Sequence, residues 1–301
     1  MALFSLIAVL LIEQIWPLSY SSLVHLPLMR LAKFLEERFN AGEHSHGIVA
    51  WFAGVGGLVF IAGIGYALLR SLNPVLAWCW NVVILYLTMG FRQFSHFFTD
   101  IQFALRMDDL PRARELLAEW RGKPSDHLSP SGIARVSILQ ALAASHRHVF
   151  GVLCFFLLFP GPCGAVLYRA AAFFAAKWGR GARDASGAFG QFSRQAFVML
   201  DWLPARTTAA GFAVVGNFEA AMYRWKACAS NSTESPIDGE KIVLAAGTGA
   251  LGLETQVPEE ECCTDPGEEG DIELMQSAVG LVWRALLLWL LLFVLFVLAT
   301  V

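Results

Sequence analysis

Several short constellations in this chain hold residue types that do chemistry. Gly247-Thr248-Gly249-Ala250-Leu251-Gly252 is a GxGxxG run, preceded by Lys241-Ile242-Val243-Leu244 with the composition of a strand. In a dinucleotide-binding unit such glycines let the backbone approach a pyrophosphate, with strand, helix and second strand inside about 30 residues. Here an acidic, proline-containing stretch starts at Glu254, where that helix should continue, and no strand–helix alternation occurs elsewhere. The run therefore reads as a Gly/Ala helix end packed closely on its neighbours. His44-Ser45-His46 and His146-Arg147-His148 pair histidines at i, i+2, a spacing that does not put both rings on one helix face. Zinc needs three or four convergent ligands, so these are expected to be interfacial histidines, and no metal is expected. Cys262-Cys263 sits in an acidic loop without EF-hand spacing, which reads as solvated. No Ser-His-Asp arrangement, P-loop or heptad seam is present.

The elements that must position such groups are membrane helices. Of 301 residues, 56% are hydrophobic and only 16% charged, with mean hydropathy +0.54. A typical soluble domain carries about 25% charged residues. The net charge of −3 hides an asymmetry, because nine acids and no Lys or Arg fall between Glu254 and Glu273. Without those nine the chain carries +6. Nucleic acid is not an expected partner, since a basic cytoplasmic face belongs to a membrane surface.

Gly47–Leu69 is 23 residues without a charge, and Val75–Phe91 is 17. Ala285–Val301 is another 17, just beyond Arg284. At about 1.5 Å per residue these approach or exceed the ~30 Å core of a bilayer. Met1–Ile12 lacks the basic start and cleavage site of a signal peptide and reads as a retained first span. Its stop, Glu13, is expected against other helices or near an interface. Val149–Trp178 is broken by Pro160-Gly161-Pro162 and is either one kinked span or a hairpin. The positive-inside rule decides for a hairpin that returns to its own side, because then 21 of 22 Lys and Arg, all but Arg70, face the cytoplasm.

The expected architecture is all-α. It has spans at about 1–20, 47–69, 75–91 and 280–301, a re-entrant or interfacial hairpin at 149–178, and cytoplasmic helices over 92–148 and 188–253. An acidic loop occupies 254–273. Both termini lie outside a bacterial inner membrane. Asp108-Asp109-Leu110-Pro111 and Ser129-Pro130 are helix starts. Phe189–Leu200 is amphipathic and ends at Asp201-Trp202-Leu203-Pro204. Ala53 and Gly57, four apart, allow close helix packing.

Leu200-Asp201-Trp202-Leu203-Pro204-Ala205-Arg206, with Val214-Val215-Gly216-Asn217-Phe218-Glu219-Ala220-Ala221, resembles the CobD/CbiB superfamily. The same order holds for Asp109-Leu110-Pro111-Arg112-Ala113-Arg114, Tyr168-Arg169-Ala170, Ser235-Pro236 and Gly249-Ala250-Leu251-Gly252, over some 280 residues. That superfamily contains the membrane adenosylcobinamide-phosphate synthases of cobalamin biosynthesis and the AmpE branch linked with β-lactamase induction. The chain departs from the synthases at three motifs. Arg121-Gly122-Lys123-Pro124-Ser125 stands for Gly-Arg-Asp-Thr, Ala144-Ser145-His146 for Ala-Glu-Asn, and Ala171-Ala172-Phe173-Phe174 for Asn-Thr-Leu-Asp.

The resemblance leaves Asp201, Arg206 and Asp109 as candidate site residues. Asp201 either orients a ligand-facing Arg206 or caps a helix begun by Pro204, with Arg206 paired to it or to lipid phosphate. Asp109 is otherwise a helix cap. Because so many polar motif positions are apolar here, the expectation is a diverged AmpE-like membrane protein in envelope signalling, working through protein partners. The alternative is a working synthase that joins an aminopropanol to cobyric acid, and only that reading brings ATP and magnesium.

Overall fold

The computed structural model describes residues 2–15, 24–39, 44–179, 188–231, 238–253 and 270–300. Cys262-Cys263, Ser235-Pro236 and nearly all of the acidic loop lie outside the described residues. Within them the chain is helical and has no strand. The helices are α1 (Ala2–Ile15), α2 (Leu26–Phe39), α3 (His44–Trp51), α4 (Gly57–Leu72), α5 (Pro74–Thr88), α6 (Phe91–Arg106) and α7 (Leu110–Arg121). They continue as α8 (Pro130–Ser145), α9 (Gly151–Leu158), α10 (Cys163–Trp178), α11 (Ala188–Val215), α12 (Phe218–Asn231), α13 (Gly239–Leu251) and α14 (Gly270–Thr300). Two π-turns, Phe52–Gly56 and His146–Phe150, join α3 to α4 and α8 to α9.

Among the described residues three helices are long and apolar enough to cross a membrane: Ser45–Leu72, Pro130–Leu158 and Glu273–Leu295. Leu3–Glu13 and Pro74–Thr88 are shorter apolar helices. The first and third leave most of their apolar windows outward, only 33% and 28% buried, whereas 78% of the Pro130–Leu158 window is buried. On α14 Leu287, Leu291, Leu295 and Leu298 recur exposed at helical spacing, as a lipid-facing stripe does.

The chain divides into two compact units, residues 1–92 with 147–204, and 93–146 with 205–301. In the first, Asn73 turns α4 into α5, its side chain accepting from the Val75 amide at 2.8 Å with Pro74 opening the new helix. Trp80 Nε1 donates across this hairpin to the Ala62 carbonyl at 3.1 Å. Ala32, Leu35, Ala50, Val55, Phe174 and Trp178 form the core of this unit. Within this chain Gly54 admits close packing, against Leu35 and Phe174, while a Cβ on Gly57 would meet nothing within 4 Å. The π-turn over 52–56 widens the helix there and breaks the i, i+4 register assumed for that face. Glu13 is buried, as expected of an acid facing other helices.

In the second unit Asp109 caps α7, its carboxylate accepting from the Arg112 amide at 3.1 Å. Gly122 closes the helix in the left-handed conformation. Ser129 caps α8 through the Gly132 amide at 3.1 Å. Arg114 is a clamp: its Nε and Nη2 both donate to the Leu128 carbonyl, at 3.1 and 2.8 Å, tying α7 to the turn before α8. Arg114→Met is therefore expected to lower stability by about 1.5–3 kcal/mol, the worth of hydrogen bonds from a charged donor. Thermal unfolding in detergent reads this, with the exposed Arg112→Met as the near-neutral comparison.

Two expectations about helix ends are corrected. A cytoplasmic helix was expected to stop near His148 and an apolar hairpin to begin at Val149, but α8, the π-turn and α9 run on without a break. The His-Arg-His triplet has enough flanking apolar length to sit inside the helix. The Phe189–Leu200 helix does not end at Asp201-Trp202-Leu203-Pro204, and Pro204 does not begin a new one. Both are interior to the 28-residue α11, because proline forfeits one amide bond and buried Ala205, Ala209, Phe212 and Ala213 hold the helix beyond it. Lys241–Leu244 is part of α13, in keeping with the reading of the glycine run as a helix end.

Candidate functional site

The GxGxxG run lies at the C-terminal end of α13, where backbone amides are already bonded within the helix. A Cβ on Gly249 would come within 2.7 Å of the Ala220 carbonyl oxygen and the Ala221 Cα, and one on Gly247 within 2.9 Å of Leu142. Thr248 Oγ1 donates back to the Leu244 carbonyl at 2.8 Å. Gly252 is the left-handed C-cap, φ 73°. Gly249 thus admits α12, Gly247 admits Leu142 of α8, and Thr248 and Gly252 serve the helix itself.

The histidines of 146–148 diverge. His146 is fully buried in the second unit, its Nδ1 3.0 Å from Thr208 Oγ1. His148 belongs to the first unit and lies within electrostatic reach of Arg147 and Arg169. The i, i+2 spacing explains the divergence. The residue pattern did not show that the turn carrying them is a π-turn. Such turns insert an extra residue into a helix and recur at functional sites.

In the first unit α10 and α11 bring two motif residues together. Tyr168 is fully buried and donates from its hydroxyl to Asp201 Oδ1 at 2.7 Å. Asp201 is 3% exposed. The Tyr168 ring lies directly on Gly151, where a Cβ would overlap the phenol. Phe155 and Phe197 flank the ring at centroid distances of 5.4 and 5.6 Å. Arg147 and Arg169 both act on the Tyr168 hydroxyl electrostatically. Arg147 and Arg169, both half-buried, thus lie within electrostatic reach of the buried Tyr168 and of His148. An arginine at the centre of an apolar span costs about 2.5–3.5 kcal/mol on insertion scales. Charges placed so are retained where they pair or bind. The His148 Nδ1 is buried without a hydrogen-bond partner among the described residues, a further cost of about 1–3 kcal/mol.

Of the three candidates, Asp201 is in this cluster, and its role is the opposite of a cap, since it stands mid-helix with its carboxylate turned to Tyr168. Asp109 is a cap in the second unit. Arg206 also falls in the second unit, half-buried, where desolvation lowers its pKa without removing its charge. Arg147, His148, Tyr168 and Arg169 were not singled out from sequence as site residues. The available signal was ionisable residues inside apolar runs.

The decisive comparison is with the family model described as CobD/Cbib protein, which matches residues 24–259. The chain belongs to this family. It is 32% identical over 274 residues to the cobalamin biosynthesis protein CobD of Stutzerimonas stutzeri (strain A1501), covering 87% of each chain. It is 34% identical over 180 residues to the cobalamin biosynthesis protein CobD of Chromobacterium violaceum, covering 60% of this chain and 56% of that one. No solved structure matches the chain. These relatives correct the AmpE-like regulatory expectation: the CobD-family matches carry the name of cobalamin biosynthesis, and nothing links the chain to the AmpE branch. The apolar substitutions at three motifs weighed too heavily in that expectation. They counted residues within single motifs, and so missed the basic groups that the π-turn and α10 bring within electrostatic reach of Tyr168, the partner of Asp201.

Proposed function

We propose that this chain is a cobalamin-biosynthesis enzyme that joins an aminopropanol-type amine to a carboxyl group of cobyric acid. The observation that carries the reading is the match along 87% of both chains to a cobalamin biosynthesis protein. The site geometry supports it. Amide formation joins the amine nitrogen to the carboxyl carbon with loss of one carboxyl oxygen, and negative charge gathers on the oxygens that remain. Arg147 and Arg169 stand where such charge would be stabilised, and Tyr168 fixes the Asp201 carboxylate beside them.

The synthase reading implies ATP as the co-substrate that carries the departing oxygen away as phosphate. It also implies magnesium. A resident magnesium is held by one or two carboxylates and several waters or phosphates. Among the described residues no three His, Cys, Asp or Glu converge, and Asp201 brings one carboxylate with one oxygen already bonded. The described residues therefore form no all-protein cage, and a magnesium ion arriving with ATP would keep its phosphates and waters.

The proposed setting is a multi-pass protein of the bacterial inner membrane with both termini outside and most loops cytoplasmic. Glu13 and Tyr86, near the C-terminal ends of α1 and α5, lie within electrostatic reach of each other, so these helices run parallel. The single crossing between them, through α3 and α4, requires that. This topology requires the chain to return to its own side through α9 and α10, which join through Gly161 at φ 68° and pack with Gly164 against the Phe155 carbonyl.

The test is complementation. A strain lacking the synthase and supplied with cobyric acid is expected to grow when it expresses this chain. Normal accumulation of the protein without growth would sink the reading.

A further inference from the structure

We infer that the groove between α2 and the C-terminal end of α10 seats an anionic phospholipid, with Arg30 and Lys177 holding its headgroup. The inference rests on the membrane setting proposed above and not on the synthase reading. Both helices belong to the first unit. A Cβ on Gly54 would meet Leu35 Cδ1 of α2 and Phe174 Cζ of α10, each at 2.9 Å. His25, just before α2, meets the Phe173 ring edge-on at 5.7 Å. These contacts lay α2 against the last turns of α10. Gly63 faces Cys163 while Gly54 faces Phe174, so α10 runs antiparallel to the Ser45–Leu72 span. Lys177, in the last turn of α10, is therefore level with the start of that span, the end to which α2 leads. The groove thus opens at a bilayer surface, where headgroups lie.

Its volume is about 610 Å³, within the range of small-molecule sites. The basic lining is Arg30, Lys33 and Lys177, and the acidic lining is Glu36 and Glu37. Lys33 Nζ lies 3.7 Å from Glu37 Oε1, so these two charges answer each other. Arg30 and Lys177, both exposed, then outnumber the half-buried Glu36. Leu26 and Met29 complete the lining beside them. A phospholipid matches this pattern, with a phosphate for guanidinium and ammonium and an acyl chain for the apolar side chains. Basic pockets beside membrane helices select anionic headgroups in this way. The rest of α2 fits the same surface. Leu26 and Phe34 are 49% and 57% exposed among Arg30, Lys33 and Arg38, the mixture of a helix that lies in the interface plane.

The test reads binding and needs no turnover, so its failure leaves the synthase reading standing. Purified full-length protein is placed in phosphatidylcholine nanodiscs with a rising fraction of phosphatidylglycerol, and its thermal unfolding midpoint is followed. A saturable rise is expected. Arg30→Gln and Lys177→Gln are each expected to raise the half-saturating fraction about fivefold, the scale of one basic side chain at an anionic surface. Glu36→Gln is expected to lower it. Arg112→Gln, an exposed charge in the second unit, is expected to leave it unchanged. Two further arms separate the sources, one adding inorganic phosphate to pure phosphatidylcholine discs and one replacing phosphatidylglycerol with phosphatidylethanolamine. The inference is overturned by no rise with phosphatidylglycerol, by a rise that both glutamine substitutions leave intact, or by equal loss in Arg112→Gln. An equal rise with free phosphate or with phosphatidylethanolamine overturns it too, because the seat would then not select an anionic lipid. Should the glutamine variants fail to accumulate, Glu36→Gln takes their place, and an unchanged half-saturating fraction there overturns the inference as well.

Discussion

Asp201→Asn is expected to leave the protein folded and its synthesis reduced at least about tenfold, the scale of losing one positioned charged group. Asparagine keeps an oxygen that accepts the Tyr168 hydroxyl, so the 2.7 Å bond survives while the negative charge beside Arg147 and Arg169 disappears. Asp201→Ala goes further. It leaves the buried Tyr168 hydroxyl unsatisfied, at about 1–3 kcal/mol, and is expected to reduce both stability and growth. Tyr168→Phe removes the donor and keeps the charge. A double-mutant cycle over Tyr168→Phe and Asp201→Asn is expected to show coupling of about 0.5–3 kcal/mol in thermal stability. If Asp201→Asn supports full growth, Asp201 is structural and the cluster is not the site.

The second large effect is expected at Gly249. Valine there must displace the Ala220 carbonyl and the Ala221 backbone, both 2.7 Å from the position of a Cβ. Backbone atoms in two packed helices cannot move aside as a flexible side chain can. The cost is expected to exceed about 3 kcal/mol, beyond ordinary overpacking, with α12 separating from α13. Gly252→Ala is the informative contrast. Nothing lies within 4 Å of its Cβ, and only its φ of 73° opposes the change, at about 1–2 kcal/mol. Thermal unfolding and yield after membrane extraction measure both. Were the run a nucleotide cradle instead, Gly249→Ala would fold normally and lose nucleotide binding.

The parts of the fold that follow from local chemistry were legible. Asp109 and Ser129 stand before Pro-containing first turns, and both cap the helices they announce. The long uncharged runs are helices with outward apolar faces. Glu13, a lone acid at the end of an apolar run, is buried among helices. The GxGxxG run was readable as packing because the residues after Leu253 contradict a helix there.

What failed was inference across a break. Pro204 and the His-Arg-His triplet both look like ends, yet both lie within continuous helices, since a single lost amide bond or one π-turn is small against packing on either side. The candidate site was illegible for a related reason. Tyr168 and Asp201 are 33 residues apart, and their meeting depends on how α10 and α11 pack, which no periodicity encodes. Arg169 interrupts an apolar segment, and Arg147 stands between two histidines at the edge of one. Once placed beside a buried carboxylate they become the reason those segments carry charge at all.

The most direct test of the central claim is turnover. Membranes containing this chain, given cobyric acid, an aminopropanol and ATP, are expected to yield a corrinoid whose mass is that of acid plus amine less one water. The Asp201→Asn membranes should yield far less of it. A mass spectrum showing only unchanged cobyric acid with the wild-type chain, under conditions in which the Stutzerimonas stutzeri relative makes product, would contradict the account.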